Sequence, residues 1–169
     1  MLQNDVPSPR LRPATAADLL LYFEWANEED VRARSFDDAP IPIDAHRAWF
    51  AKKLKSRNAL MLVVEAPGPV GQIRFDVAND IAMIGFSVAA HARGRGLGSY
   101  MLRNGSVWFH AMFPNVRIAR GLVKEDNVAS RRAFEAAGFH LVPETADIRA
   151  PTVTYDIDLS LLATPVNAV

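Results

Sequence analysis

The chain has no cysteine. A disulfide framework, a thiolate metal site and a cysteine nucleophile are therefore excluded, and so is a reaction that passes an acyl group through a cysteine of the enzyme. The lack of cysteine also suits a reducing compartment. No other residue pattern indicates a ligand set for a metal, so we predict no metal site.

Net charge and long apolar runs are missing as well. The 19 basic and 19 acidic side chains cancel, which leaves no overall basic field for a nucleic-acid backbone. No apolar run reaches the roughly 18 residues of a membrane span, and the polar start from Met1 to Arg12 has no signal-peptide core. We therefore expect a cytoplasmic protein that binds neither nucleic acid nor a membrane.

What remains is the composition of an ordinary globular protein. The 169 residues are 50% hydrophobic and 22% charged, which predicts one domain over residues 1–169 with a flexible start at residues 1–9. The chain reads in order as a strand at Leu11, two helices, three strands, a helix, a strand, a helix and two strands. Thr15 and Asp44 are the expected N-caps of the first two helices. This order predicts an α/β fold with a mixed sheet.

The three consecutive strands form the best-defined part of this prediction. The runs Ala59–Glu65 and Val70–Val77 flank Pro67-Gly68-Pro69, which predicts an antiparallel hairpin. The next run, Ile81–Val88, is apolar at both alternating sets of positions. A strand covered on both faces has this pattern, so we place Ile81–Val88 in the middle of the sheet.

A glycine-rich segment follows that central strand. Because Gly94, Gly96 and Gly98 have no side chains, their backbone N–H groups can point toward one spot, and the next helix adds its unsatisfied amides and positive dipole end. The segment therefore predicts a pyrophosphate site between a strand and a helix.

Two ordered motifs resemble those of the GNAT acetyltransferase superfamily. Residues 88–102 resemble its acetyl-CoA motif, Arg/Gln-x-x-Gly-x-Gly/Ala, at Arg93, Gly96 and Gly98. Residues 127–139 resemble its later motif, in which an asparagine precedes a helix and a Gly-Phe pair. The resemblance implies a mixed, largely antiparallel twisted sheet of about six to seven strands with about four helices. It also implies acetyl-CoA as co-substrate, with direct acetyl transfer to an amine.

The same resemblance implies site residues. The Val88 backbone would support the thioester and its oxyanion, and the implied acetyl-CoA contacts are Val88, Arg93, Gly94, Arg95, Gly96, Leu97, Gly98, Ser99, Asn127 and Phe134. Relatives often carry a glutamate on the central strand and a tyrosine at position 134, and both are missing here. The candidate bases are His46 and Asp76, and Glu24 or a water chain are further possibilities. The candidate acids are Tyr155 and Tyr100.

The N-terminal third resembles acetyltransferases of nucleotide-linked amino sugars, such as the enzyme of the pseudaminic acid pathway. The resemblance rests on residues 24–36 and 41–50 and implies a small-molecule amine acceptor, a sugar nucleotide. The implied acceptor contacts are Trp25, Asn27, Arg32, Ser35, His46 and Trp49. Arginine suits a nucleotide diphosphate, because its planar fork of donors matches phosphate oxygens. A homodimer is compatible with this sequence.

Several alternatives stay open at this point. Trp25, Trp49 and Phe50 recur at helical spacing, which also fits a buried core, and we expect Phe50 there. Asn127 also fits a helix N-cap. The acceptor alternative is a protein N-terminal amine, as in ribosomal-protein acetyltransferases. Because both usual proton-transfer residues are missing, a non-catalytic acyl-CoA-binding regulatory module is a further alternative, and a nucleic-acid-binding module ranks last.

Overall fold

A computed structural model describes residues 8–143 and 151–162. Most of the predicted flexible start, residues 1–7, lies outside these ranges. The helices are α1 (Leu19–Asn27), α2 (Glu29–Arg34), α3 (Ile43–Leu54), α4 (Leu97–Met112) and α5 (Val128–Ala136), and the strands are β1 (Arg10–Pro13), β2 (Ala59–Glu65), β3 (Pro69–Ala78), β4 (Ile81–Val88), β5 (Ile118–Lys124), β6 (His140–Val142) and β7 (Thr152–Asp158). None of the helices in these ranges is long and apolar enough to cross a membrane.

The strands form one seven-stranded sheet in the order β1-β2-β3-β4-β5-β7-β6. Neighbouring strands are antiparallel except β4 and β5, which are parallel. The predicted hairpin is β2–β3, and β4 is the fourth of the seven strands. The predicted mixed, largely antiparallel sheet with a central strand at Ile81–Val88 is thus confirmed.

Three helices, not the predicted two, precede β2. The chain leaves the helical conformation at Glu28, where ψ is 136°, and resumes as α2 one residue later. Asp44 is not an N-cap, because α3 already begins at Ile43 after Pro42, whose extended backbone opens the helix. Thr15 does occupy the N-cap position, but of a 3-10 turn, Ala16–Asp18, that leads directly into α1. Its N–H and hydroxyl donate to the carboxylate of Asp18, at 2.7 and 3.2 Å.

Two apolar cores lie on opposite faces of the sheet. One packs α4 and α5 against the sheet around the stacked rings of Phe75 and Phe109, whose centroids are 4.7 Å apart. The other packs α1 and α3 against β2 and includes Tyr22, Trp25 and Phe50. The core position of Phe50, which is 1% exposed, is confirmed.

Arg12 fixes the start of α1 to the sheet edge. Its terminal nitrogens donate to both carboxylate oxygens of Asp18, and its Nε donates to Glu65 on β2, each at 2.8 Å. The hydrogen bonds from Arg12 hold the pKa of Asp18 below its usual value. Because Asp18 directly precedes α1, this ion pair positions the helix over β1 and β2.

The parallel strands β4 and β5 diverge along their length. They are paired over three positions, from Ile81 opposite Ile118 to Met83 opposite Arg120. Beyond these positions the ring of Phe134, from α5, lies directly on Gly121 of β5, where a Cβ would lie 2.1 Å from its Cζ. The same ring meets Phe86 of β4 edge-on, at 5.7 Å between centroids. Phe134 therefore spans the gap between the two strands.

We expect Gly121→Ala to lower the free energy of unfolding by about 1–3 kcal/mol, the usual effect of overpacking a close contact. The added methyl group would overlap the Phe134 ring, which is itself packed against Tyr155. Urea unfolding measures the change. Gly68→Ala is the matched control, because a Cβ at Gly68 meets no atom within 4 Å. Equal stability of the two variants would contradict the role of this contact.

Candidate active site

A cleft of about 1070 Å³ opens where β4 and β5 diverge. Helix α2 and the loop after it line one side of the cleft, and residues of α3 and β3 lie next to them. The divergent halves of β4 and β5, the glycine-rich loop, the start of α4 and α5 complete the lining. The cleft therefore combines the predicted pyrophosphate loop with the predicted acceptor region.

The peptide groups of β4 provide polar atoms along one wall. Ala89 N–H donates to the Val70 carbonyl at 2.8 Å, which makes the pair Gly71–Val88 a non-hydrogen-bonded pair of the β3–β4 ladder. By strand alternation, the N–H and C=O groups of Phe86 and Val88 then point away from β3 and toward β5. Because pairing with β5 ends at Met83, these groups face the cleft.

The glycine-rich loop closes one end of the cleft and begins α4. Gly94 and Gly96 have φ of +75° and +73°, a region that disfavours residues with a Cβ, and Gly96 is the N-cap residue. The first amides of α4 have no acceptor within the helix, so its positive end faces the cleft. Gly98 differs: a Cβ there would lie 3.2 Å from Ala133 and 3.3 Å from Phe86, so it allows close packing of α4.

The side chain of Arg93 turns from the loop toward α2. Its Nε donates to the Val88 carbonyl at 3.0 Å, and its terminal nitrogens pair with Asp30 at 2.7 Å and with Glu28. On the far side of the cleft, Lys124 Nζ donates to the Ala33 carbonyl at 3.1 Å. Helix α2 is thus tied to both walls of the cleft.

The remaining residues predicted for acetyl-CoA have mixed positions. Leu97, Ser99, Asn127 and Phe134 line the cleft with the glycines, whereas Arg95 is exposed and outside the lining. Asn127 is the N-cap of α5: its Oδ1 accepts from Ser130 N–H at 3.2 Å and from Arg34 at 3.3 Å. The anticipated N-cap role of Asn127 is therefore confirmed.

The predicted acceptor residues separate into two groups. Arg32, Ser35, His46 and Trp49 line the cleft. Trp25 does not, because it is 5% exposed within the core under α1. Asn27 does not line it either. Its amide joins the two ends of the segment that contains α2: Oδ1 accepts from Ile41 N–H at 2.8 Å, and Nδ2 donates to the Ile41 carbonyl at 3.3 Å.

Arg32 binds its own loop as well as lining the cleft. Its guanidinium donates to the carbonyls of Ala26, Asp37 and Ala39 at 2.7, 3.0 and 3.2 Å, and to the Ser35 hydroxyl at 2.9 Å. None of these partners is a carboxylate, so the charge of Arg32 is not neutralised by them. Removing this side chain would also loosen the loop.

His46 is enclosed by aromatic rings. Its centroid lies 5.4 Å from that of Trp49 and 5.8 Å from that of Phe50. A carbonyl only accepts, so the 3.1 Å contact with Leu19 O means that Nε2 carries the proton and Nδ1 has the lone pair. Burial lowers the pKa of His46 below 6.5, which keeps the ring neutral at pH 7.

The other proton-transfer candidates lie outside the cleft lining. Asp76 pairs with Lys53 and lies 3.8 Å from Arg74, and Glu24 is exposed on α1. Tyr155 is 1% exposed and donates to Glu135 at 2.6 Å, while the Tyr100 hydroxyl donates to the Pro9 carbonyl at 2.6 Å. The hydrogen bonds of the two tyrosines indicate that both side chains have structural roles.

Sequence analysis did not single out two polar residues of β3 that line the cleft, Gln72 and Arg74. They alternate with Ile73 and Phe75, which belong to the core on the opposite face. The Arg74 guanidinium carbon lies 5.5 Å from the centroid of the Trp49 ring. The available signal was the alternation of polar Gln72, Arg74 and Asp76 with apolar Ile73 and Phe75, which gives this strand one polar face.

Comparisons with known proteins match these features. A family model described as an acetyltransferase (GNAT) domain matches residues 10–140. The uncharacterized N-acetyltransferase YfmK of Bacillus subtilis (strain 168) is 26% identical over 125 residues, which cover 73% of this chain and 80% of that protein.

Solved structures share the fold at low identity. The spermidine N-acetyltransferase from Vibrio cholerae, in complex with CoA and spermine, has a TM-score of 0.77 at 16% identity and covers 90% of this chain and 96% of its own. AAC(6')-Ib in complex with ribostamycin and coenzyme A has a TM-score of 0.76 at 18% identity, with coverages of 96% and 100%. An N-acetyltransferase from Staphylococcus aureus Mu50 has a TM-score of 0.73 at 22% identity, and the match covers 90% of this chain and 99% of that one.

We expect the stability of the protein to fall as the pH drops below 6.5, with part of the loss due to His46. Since burial lowers the folded-state pKa of His46, the unfolded chain binds more protons between pH 6.5 and that lower value, and acid favours unfolding there. His46→Gln removes the titration and should flatten the difference between urea unfolding at pH 7.5 and at pH 5.5. The same change at exposed His140 is the control, and an unaltered pH dependence in His46→Gln would refute the assignment.

Proposed function

The chain belongs to the GNAT acetyltransferase family, and from that premise we propose that it transfers acetyl from acetyl-CoA directly to the primary amine of a nucleotide-linked amino sugar. It is an acetyltransferase by family. The proposal concerns the acceptor, the roles of individual residues and the action of residues 1–169 as one domain.

One observation carries the assignment of the cofactor half. The N-terminal end of α4, with glycines at positive φ, and the peptide groups of β4 that do not pair with β5 face the same cleft. A helix N-terminus favours a pyrophosphate. Strand amides without partners suit the amide groups of a pantetheine arm, since each peptide group seeks one donor and one acceptor. The cleft volume of about 1070 Å³ is also large enough for the arm and an acceptor.

In the proposed transfer, the amine nitrogen attacks the thioester carbonyl carbon. A C–N bond forms, the C–S bond breaks, and the amine proton leaves while the released thiolate takes up a proton. The N–H groups of Phe86 and Val88 are the available donors for the carbonyl oxygen as it gains charge. Neutral His46, with its Nδ1 lone pair, is the cleft residue suited to accept a proton.

The departing thiolate needs little assistance. Position 134 is a phenylalanine, which has no proton to donate, and its ring is packed against Gly121, Phe86 and Tyr155. A thiol has a pKa near 8.5, and water therefore suffices to protonate the thiolate. Phe134 instead supports the spacing of the strands beneath the reacting groups.

The shape and chemistry of the acceptor half favour a small molecule. Helix α2 crosses the cleft between Arg93 and Lys124, which narrows the approach for a peptide chain. Trp49 provides an aromatic wall and Arg32 a charge whose hydrogen-bond partners include no carboxylate, a combination that suits a sugar and a phosphate. Solved neighbours, in their own complexes, hold spermine and ribostamycin, which are small amines.

We expect acetyl-CoA to release coenzyme A in the presence of UDP-linked amino sugars and not of N-terminal peptides. Coenzyme A release with a thiol reagent, run against both acceptor panels, measures this. Release with peptides alone would redirect the acceptor assignment. Tight acetyl-CoA binding without release in any reaction would favour the regulatory module.

We expect Gly96→Glu to weaken acetyl-CoA binding by at least about tenfold, because it adds bulk and negative charge at the anion site. Calorimetric titration measures the affinity. Gly138→Glu is the matched control, since Gly138 also has a positive φ, at 92°, but lies outside the cleft lining. If both variants bound acetyl-CoA equally, the loop would not be the pyrophosphate site.

A further inference from the structure

Arg74 occupies a fixed position in the acceptor half of the cleft. It lies on β3 opposite Gly85 of β4. A Cβ at Gly85 would lie 2.6 Å from the guanidinium carbon, and the Trp49 ring centroid lies 5.5 Å from the same atom. The flat guanidinium is thus held between a strand backbone and an aromatic ring, an arrangement that arginine tolerates well.

The hydrogen-bonding capacity of Arg74 is largely unused. The nearest carboxylate is Asp76, with 3.8 Å between Nε and Oδ2, beyond hydrogen-bond range, and Asp76 also pairs with Lys53. Within residues 8–143 and 151–162, no hydrogen bond joins the terminal nitrogens of Arg74 to another residue. Its side chain is 36% exposed, so these donors are accessible from the cleft.

The surrounding charges balance Arg74 only in part, because its nearest acid, Asp76, is shared with Lys53. Arg32, the nearby cation, binds carbonyls and a hydroxyl. The acids in the lining are Asp30, which pairs with Arg93, and exposed Asp37, whose Oδ1 accepts from Ala39 N–H at 3.0 Å. Burial lowers the pKa of Arg74; the charge of Asp76 opposes this effect, and the charge of Arg32 adds to it. An anion between these arginines would relieve both effects.

Gln72, two residues before Arg74, presents a second unused group. It is 7% exposed, and its Nε2 donates to the Ser87 hydroxyl at 3.3 Å. Its buried Oε1 has no hydrogen-bond partner among the described residues. Since an unpaired buried oxygen is unfavourable, a ligand N–H next to the anion would satisfy it.

Building on the proposed transfer to an amine, we propose that this half of the cleft is a subsite for acceptors that carry their own anionic group, which Arg74 binds while Gln72 accepts an N–H from the same molecule. A phosphate and a carboxylate share this chemistry. The two arginines repel polycationic amines, so the subsite sets the charge of the acceptor as well as its shape.

The test compares amines that differ in one anionic group. Glucosamine 6-phosphate is paired with glucosamine, glycine with glycinamide, and a UDP-linked amino sugar is tested beside spermidine. We expect kcat/KM for an anionic acceptor to exceed that of its neutral partner by at least about tenfold, mainly through KM. The phosphate pair and the carboxylate pair distinguish the two sources of the anion.

Arg74→Gln should remove this preference and leave acetyl-CoA affinity unchanged. Arg74→Lys, which keeps the charge but loses the fork, should retain part of it. Arg57→Gln, on an exposed turn, is the matched control and should behave as the wild type. Equal use of anionic and neutral partners by the wild type, or a preference for spermidine, would overturn the proposal.

A binding titration on the CoA-saturated protein separates this inference from the proposed function. If anionic amines bind in an Arg74-dependent manner but no acetyl group is transferred, the subsite stands and the transfer to these amines fails. If neutral amines are acetylated as fast as anionic ones, the transfer stands and the subsite fails.

Discussion

The separation of β4 from β5 after Met83 and Arg120 is the constraint on which the rest of the site depends. Two paired strands would hide their peptide groups in the ladder, and no cleft would form between them. The divergence leaves the peptide groups of Phe86 and Val88 without partners on β5, and Phe134 fills the gap between the strands because Gly121 has no side chain. The packing of Phe134 on Gly121 thus supports the separation of the two strands, which exposes peptide groups of β4 to the cleft.

Helix α2 connects the two halves of the site. Arg93 comes from the glycine-rich loop, yet it pairs with Glu28 and Asp30 at the start of α2 and with the Val88 carbonyl. Exposed ion pairs of this kind contribute little to stability, typically about 0–1 kcal/mol each. Their effect is geometric: the loop that would hold a pyrophosphate and the segment that would meet the acceptor share one side chain. A shift in the loop therefore reaches α2 directly.

The sequence predicted the parts of the structure that depend on local chemistry. Alternation and turn residues identified the β2–β3 hairpin, the central strand and α4, and Asn127 occupies its expected N-cap. Contacts between residues far apart in the sequence could not be predicted in this way. Nothing near Arg93 indicates acids 63 and 65 residues earlier, and nothing near Trp25 separates a core ring from a ligand ring. Arg74 was missed because its role appears only when β3 lies beside Gly85 and α3 brings Trp49 over it.

The missing carboxylate on β4 is less serious than it first appears when magnitudes are compared. An amine with the pKa of an α-amino group, near 8, is about one tenth unprotonated at pH 7, so deprotonation adds about 1.4 kcal/mol to the barrier. For an alkylamine like lysine, near 10.4, the same step adds about 4.6 kcal/mol. Alignment of two bound reactants contributes roughly 7–11 kcal/mol, enough to outweigh either figure. The lack of a carboxylate on β4 is therefore compatible with transfer, and most compatible with a weakly basic amine such as that of an amino sugar.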